Sequence, residues 1–116
     1  MALGRAGGGV PLLCATLYVV DGDTVHCDHE KIRLLDFDTP ETRRAKCENE
    51  RVAGYEAKAR LSTLLKSGPR TIERHGLDKY RRTLGRIFVG GVPVADVMIR
   101  EGYARPYGGG RKPWCP

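Results

Sequence analysis

The sequence predicts a small, mainly β domain carrying one longer and one short helix, and three observations lead there. Residues 12–37 hold three short β-rich runs punctuated by Asp21-Gly22 and Asp28-His29-Glu30, the pattern of a meander. Ala57, Leu61, Leu64 and Leu65 recur at helical spacing and run into Ser67-Gly68-Pro69, which stops a helix. The 116 residues suffice for one hydrophobic core and leave little for a second. Strands arriving in such quick succession indicate a barrel or a sandwich.

Taken in order, Met1–Gly9 is Gly-rich, so residues 1–10 are expected as a disordered lead-in and 11–116 as a single domain. Leu12–Val20 is the first strand, Asp21-Gly22 the hairpin turn and Thr24–Cys27 the second strand. Lys31–Phe37 is the third. A two-residue period there puts Ile32 and Leu34 on one face and Arg33, Leu35 and Phe37 on the other. Thr42–Arg51 is dense in charge and reads as an exposed loop, with the longer helix following from about Gly54 to Lys66. Arg70–Arg74 reads as a short strand, His75–Thr83 as a basic loop and Leu84–Val89 as a strand closed by Gly90-Gly91. Val94, Val97 and Met98 mark a short helix that starts at Pro93 and ends at Gly102. Tyr103–Pro116 is irregular chain, with Tyr103 packed and Trp114 an anchor for the tail.

Twenty Lys and Arg against fourteen Asp and Glu give a net charge of +6, which favours an anionic partner such as nucleic acid or an anionic membrane surface. No apolar run is long enough for a membrane-spanning helix. Cys14, Cys27, Cys47 and Cys115 are compatible with one or two disulfides in an oxidising compartment, or with buried free thiols. Their spacing is unlike the paired Cys-x-x-Cys of a zinc site.

The chemistry concentrates where strands end. Asp21, Asp23, Asp38 and Glu41 come from two neighbouring strand units, and closing a small sheet brings such residues near one another. Carboxylates that close repel unless a hard cation sits among them, and an oxygen-only donor set favours calcium or magnesium. The alternative is that Asp21 and Asp23 form a turn and that Asp38 and Glu41 are solvated charges. Arg33 adds a guanidinium fork that fits phosphate oxygens, and Asp78-Lys79-Tyr80-Arg81-Arg82 supplies a second basic group. Phosphodiester hydrolysis asks for a metal, cations to clamp the phosphate and a carboxylate to receive a proton.

Three ordered motifs, Val19-Val20-Asp21-Gly22-Asp23-Thr24-Val25, Ile32-Arg33-Leu34-Leu35-Asp36-Phe37-Asp38-Thr39-Pro40-Glu41-Thr42 and Asp78-Lys79-Tyr80-x-Arg82, resemble the staphylococcal nuclease (thermonuclease) family over about residues 14–107. The resemblance implies a five-stranded OB-fold barrel with helices packed on it. It also implies a calcium-dependent endonuclease cutting DNA and RNA to 3′-phosphate products. Matched position by position, Asp23 and Asp38 resemble the carboxylate ligands of calcium, the Thr39 carbonyl a third ligand, and Asp21 stands close behind. Glu41 matches the residue cast as general base, and Arg33 and Arg82 match the phosphate-binding arginines. Lys79 and Tyr80 match residues lining the nucleotide pocket, with Tyr107 near a base-stacking tyrosine.

Two features depart from the family pattern. Arg81 stands where the family usually carries Gly before the second arginine, and the chain after Gly102 is short. Shorter secreted members end similarly, which implies a Cys47–Cys115 bond holding the tail. A monomer acting on DNA and RNA, preferably single-stranded, in a secreted or periplasmic setting and without a membrane partner is the expectation. The competing reading is a non-catalytic OB-fold module that binds single-stranded nucleic acid through a basic groove and stacking. A basic protein that binds cell-surface anions rests on charge alone.

Overall fold

The computed structural model describes residues 8–108 and 114–116. Among the described residues, nine strands and two helices follow in the order β1 (Val10–Pro11), β2 (Leu17–Asp21), β3 (Thr24–Cys27), β4 (Glu30–Leu34), β5 (Phe37–Asp38), α1 (Glu48–Leu65), β6 (Arg70–Leu77), β7 (Thr83–Val89), β8 (Val92–Pro93), α2 (Val94–Arg100) and β9 (Arg105–Pro106). The architecture is mainly β with one longer and one short helix.

The predicted hairpin forms. β2 and β3 pair antiparallel with Tyr18 opposite His26 and Val19 opposite Val25, and a bulge before Asp21 re-aims the strand end. β3 pairs with β4, β4 runs parallel to β7, and β7 pairs antiparallel with β6. The main sheet therefore reads β1-β6-β7-β4-β3-β2, with β8 beside β7. Its hydrogen bonds do not close a barrel. The two outer strands, β1 and β2, are nonetheless successive stretches of one chain, joined by residues 12–16. That segment is tied to both sides: Leu12 N–H donates to Arg70 O at 3.0 Å, and Asp28 N–H to Thr16 O at 2.8 Å. A disulfide, Cys14–Cys27, staples it to β3. The pairing of Val10 with Ile72 brings the end of the Gly-rich lead-in onto the sheet, while residues 1–7 lie outside the described residues.

One face of the sheet and α1 enclose the core, in which Val25, Ile32, Leu34, Phe37, Leu61 and Ile87 are almost wholly buried. Phe37 corrects the expected strand. Lys31–Phe37 is not continuous: β4 stops at Leu34, Asp36 takes φ +84, and the chain restarts in β5. The break turns Phe37 into the core with Ile32 and Leu34, so Arg33 does not share its face with a large apolar ring. Asp36 holds this left-handed turn while accepting two bonds from Arg86, at 2.6 and 3.1 Å.

The long helix also starts earlier than its apolar period indicates, at Glu48 instead of near Gly54, so Glu48–Arg51 is helix and not loop. The cap is a cysteine. Cys47 Sγ accepts the N–H of Glu50 at 3.4 Å, filling the place usually taken by Ser, Thr, Asp or Asn. The same sulfur is bonded to Cys115, the tail pairing expected from the sequence. β6 extends through Leu77, so the basic loop shrinks to residues 78–82. α2 follows Pro93 and ends before Gly102, whose φ of +85 closes the helix as predicted. In the described part of the tail, β9 pairs with β5, and the Arg105 guanidinium lies 3.6 Å from the Trp114 ring centre, anchoring the indole.

Candidate active site

Paired residues of adjacent antiparallel strands point to the same side of a sheet. Asp21, Thr24 and Arg33 are such a row across β2, β3 and β4, on the face opposite the buried Val25 and Ile32. Asp23 occupies the hairpin tip beside this row. Its carboxylate is fixed from both sides, accepting from Thr24 Oγ1 at 3.1 Å and from the Thr39 backbone N–H at 3.3 Å. Burial pushes the Asp23 carboxyl above the usual carboxylate range, with Arg33, Thr24 and the Thr39 N–H pulling the other way.

Arg33 organises the next layer. One guanidinium nitrogen donates to the carbonyls of Leu34 (2.6 Å) and Phe37 (3.2 Å), which locks the fork across the chain break at Asp36. The other, Nη2, lies 2.5 Å from Asp38 Oδ1 and 3.5 Å from Asp23 Oδ2, so both carboxylates converge on one cationic nitrogen. Thr39, which follows Asp38 in sequence and donates its backbone N–H to Asp23, is buried, and its Oγ1 has no hydrogen-bond partner among the described residues. Among the described residues, no three His, Cys, Asp or Glu side chains gather into a self-sufficient metal cage.

Glu41 follows the buried Thr39-Pro40 pair and is open to solvent. Partial burial and the neighbouring Asp21, Asp23 and Glu50 push its carboxyl upward, against the pull of Arg44. Its backbone is held by a residue that the sequence reading missed. Glu50, 6% exposed on the first turn of α1, accepts the N–H of Glu41 through Oε2 at 3.1 Å and that of Lys46 through Oε1 at 2.9 Å. Thr42 Oγ1 donates to Asp21 Oδ1 at 2.7 Å, so the turn is pinned to the hairpin as well.

Two glycines let these three pieces meet. A Cβ on Gly54 of α1 would stand 2.3 Å from the Glu41 carbonyl oxygen, and one on Gly22 would stand 2.8 Å from Thr39 Oγ1 and 2.9 Å from the Ala57 Cβ. A glycine at the start of an apolar helical pattern was the available signal for this close approach.

Arg82 reaches the site from the β6–β7 turn. Asp78 builds that turn, accepting the N–H groups of Tyr80 (2.8 Å) and Arg82 (2.9 Å) on Oδ1 and Arg82 Nε on Oδ2 (2.7 Å). Burial raises the Asp78 carboxyl, yet these bonds outweigh it and hold the group below its usual range. Arg81, the departure noted above, has φ +66, a conformation that suits the glycine usual at that position. Arg81 is exposed, whereas Arg82 is partly buried.

Asp21, Asp23, Arg33, Glu41 and Arg82 line one open groove of about 1110 Å³. Asp38 joins through Arg33, and Thr39 through Asp23. Lys79, Tyr80 and Tyr107 do not line it. Tyr80 is an exposed ring 5.2 Å from Lys79 Nζ and 5.4 Å from the Arg82 guanidinium, and Tyr107 is exposed after β9, its N–H donating to Asp36 O at 2.9 Å. No described helix is long and apolar enough to cross a membrane.

Comparison with known proteins finds relatives named as endonucleases. The chain is 35% identical over 95 residues to the SPbeta prophage-derived endonuclease YokF of Bacillus subtilis, covering 74% of this chain and 31% of that protein. It is 34% identical over 95 residues to endonuclease YncB of the same organism, covering 74% of this chain and 44% of the relative. With an uncharacterized endonuclease of Haemophilus influenzae it shares 29% over 99 residues, 81% of this chain and 52% of the other. The chain thus spans about half, or less, of the relatives it matches. The family model for staphylococcal nuclease homologues matches residues 31–113, which runs from the second residue of β4 through β5, α1, the Asp78–Arg82 turn and β9. By that match the chain belongs to the staphylococcal nuclease family.

Proposed function

We propose that this chain is a calcium-dependent endonuclease that hydrolyses phosphodiester bonds of DNA and RNA, preferably single-stranded, and leaves 3′-phosphate ends. The observation that carries the reading is the convergence of Asp23 and Asp38 on Arg33 in the same groove as Glu41 and Arg82. Supporting it are the endonuclease names of the relatives and the net charge of +6.

The donor chemistry fits a hard cation. Two carboxylates that already share one positive group, and the Thr39 carbonyl, offer oxygen only, and the unpartnered Thr39 Oγ1 lies at the same place. Asp23, Asp38 and Thr39 would hold calcium, with Asp21 close behind, and the chemistry supplied by the bound ion is neutralisation of charge growing on the phosphate. Arg33 and Arg82 clamp phosphate oxygens from two sides of the groove. Glu41 receives the proton of the attacking water, held in place by Glu50 and Gly54. Lys79 and Tyr80 bind the nucleotide beside Arg82, and Tyr107 stacks on a base. In fold terms we read the sheet, with residues 12–16 bridging its outer strands, as an OB-type five-stranded barrel. A secreted or periplasmic monomer fits the two disulfides.

The test is cleavage of single-stranded DNA and of RNA with calcium, against an EDTA control. Metal-dependent products are expected from the native sequence, and Glu41→Gln should cut turnover at least about a hundredfold. Salt-sensitive binding without any product in calcium would instead identify a non-catalytic binding module.

A further inference from the structure

The groove is longer than its carboxylate–arginine cluster needs. Two residues along β3 and β4 from the Asp21–Thr24–Arg33 row, and three along β2 because of its bulge, lies a second row on the same face: Tyr18 opposite His26, and His26 opposite Lys31. One strand rise of about 3.4 Å per residue sets the two rows about 7 Å apart. Tyr18 is 52% exposed, yet its ring is not loose. Tyr18 Oη lies 2.6 Å from His26 Nδ1, and the two rings meet edge to face with centroids 4.9 Å apart. Across the groove, α1 contributes Tyr55, 41% exposed, with Lys58 Nζ 5.7 Å from its ring centre. None of these side chains belongs to the core or to the cluster described above.

The sheet order places this aromatic pair. Across β7, β4, β3 and β2 the Asp78–Arg82 turn stands at the β7 side, Arg33 and Asp23 come next, and Tyr18 lies on the outer strand. A strand running from Tyr80 toward Tyr18 crosses the cluster on the way. We propose that Tyr18, His26, Tyr55 and Lys58 form a distal subsite that stacks a nucleobase and pairs its phosphate, on the side of the cluster away from Lys79 and Tyr80. Preorganised exposed rings with cations beside them are what single-stranded nucleic acid uses as stacking platforms, and the groove's continuity with Arg33 selects that occupant. This subsite rests on the nuclease reading for the position of the scissile bond, but its binding role can be measured without cleavage.

The test compares the affinity of a fluorescent single strand of about twelve nucleotides with that of a dinucleotide, in calcium, using the full chain carrying Glu41→Gln. Tyr18→Ala and Tyr55→Ala should each weaken the long strand at least about fivefold more than the dinucleotide, while Tyr18→Phe keeps most of the affinity. Lys58→Gln should flatten the salt dependence by about one phosphate contact. Equal losses on both ligands, changes within twofold for both alanine variants, or no binding of the long strand before substitution would overturn the subsite. Failure of the native sequence to cleave the same strand counts against the nuclease reading alone and leaves the binding result standing.

Discussion

Glu50 accepts the backbone N–H of Glu41 at 3.1 Å from a side chain that is 6% exposed, so α1 reaches across nine residues of sequence to fix the turn carrying the proposed base. The other oxygen takes the Lys46 N–H. Glu50→Gln keeps the size but turns one acceptor into a donor facing a backbone N–H. Turnover should fall between about tenfold and a hundredfold with KM within about twofold, and stability by about 1–3 kcal/mol, read by steady-state kinetics and denaturant unfolding. Native turnover in a destabilised Glu50→Gln would remove its positioning role.

The two disulfides should differ in worth. Cys47–Cys115 closes a loop of sequence separation 68 and Cys14–Cys27 one of 13. On chain-entropy grounds the first contributes about 4 kcal/mol and the second about 3. Paired serine variants, unfolded in urea, should rank in that order. Losing the first should also lower activity more, because Cys47 caps the helix that presents Glu50.

Acid should weaken the fold partly through Glu30. Its bidentate pair with Arg74 (2.8 Å, twice) and the bond from Thr83 Oγ1 (2.7 Å) hold its carboxyl below the ordinary value of 4.5, against the opposing pull of burial. A lowered folded value means that the contribution is complete above about pH 4.5 and is lost as pH falls through the folded value. Glu30→Gln should therefore cost about 1 kcal/mol at neutral pH, discounted for solvent exposure, and show a shallower stability loss in acid. Parallel curves for both proteins below pH 4.5 would assign the acid response elsewhere.

Much of this was legible in sequence because the signals were local. Asp21-Gly22 between β-rich runs marked the hairpin, Ala57, Leu61, Leu64 and Leu65 marked the helix face, and Gly102 marked the end of α2. The three motifs put Asp21, Asp23, Arg33, Glu41 and Arg82 on a single groove because each sits where a strand or turn ends on the same face. What escaped depends on partners far along the chain. Asp36 breaks the strand with φ +84 while Arg86, fifty residues on, holds its carboxylate. Cys47 caps a helix with sulfur, and a period read from apolar residues does not extend over Glu48–Arg51. Gly54 looked like a helix boundary; its missing side chain instead makes room for the Glu41 carbonyl. Tyr18 and Tyr55 carried no motif, since their common groove exists only after α1 packs beside β2.

The two disulfide rings, residues 14–27 and 47–115, do not overlap, and the interval between them carries Arg33, Asp38 and Glu41. A protease that nicks the backbone inside either ring leaves the fragments covalently joined. A single cut between residues 28 and 46 releases two separate chains, one keeping Asp23 and the other Arg82. The segment on which the groove depends most is thus the one stretch between the rings where a lone cleavage divides the protein.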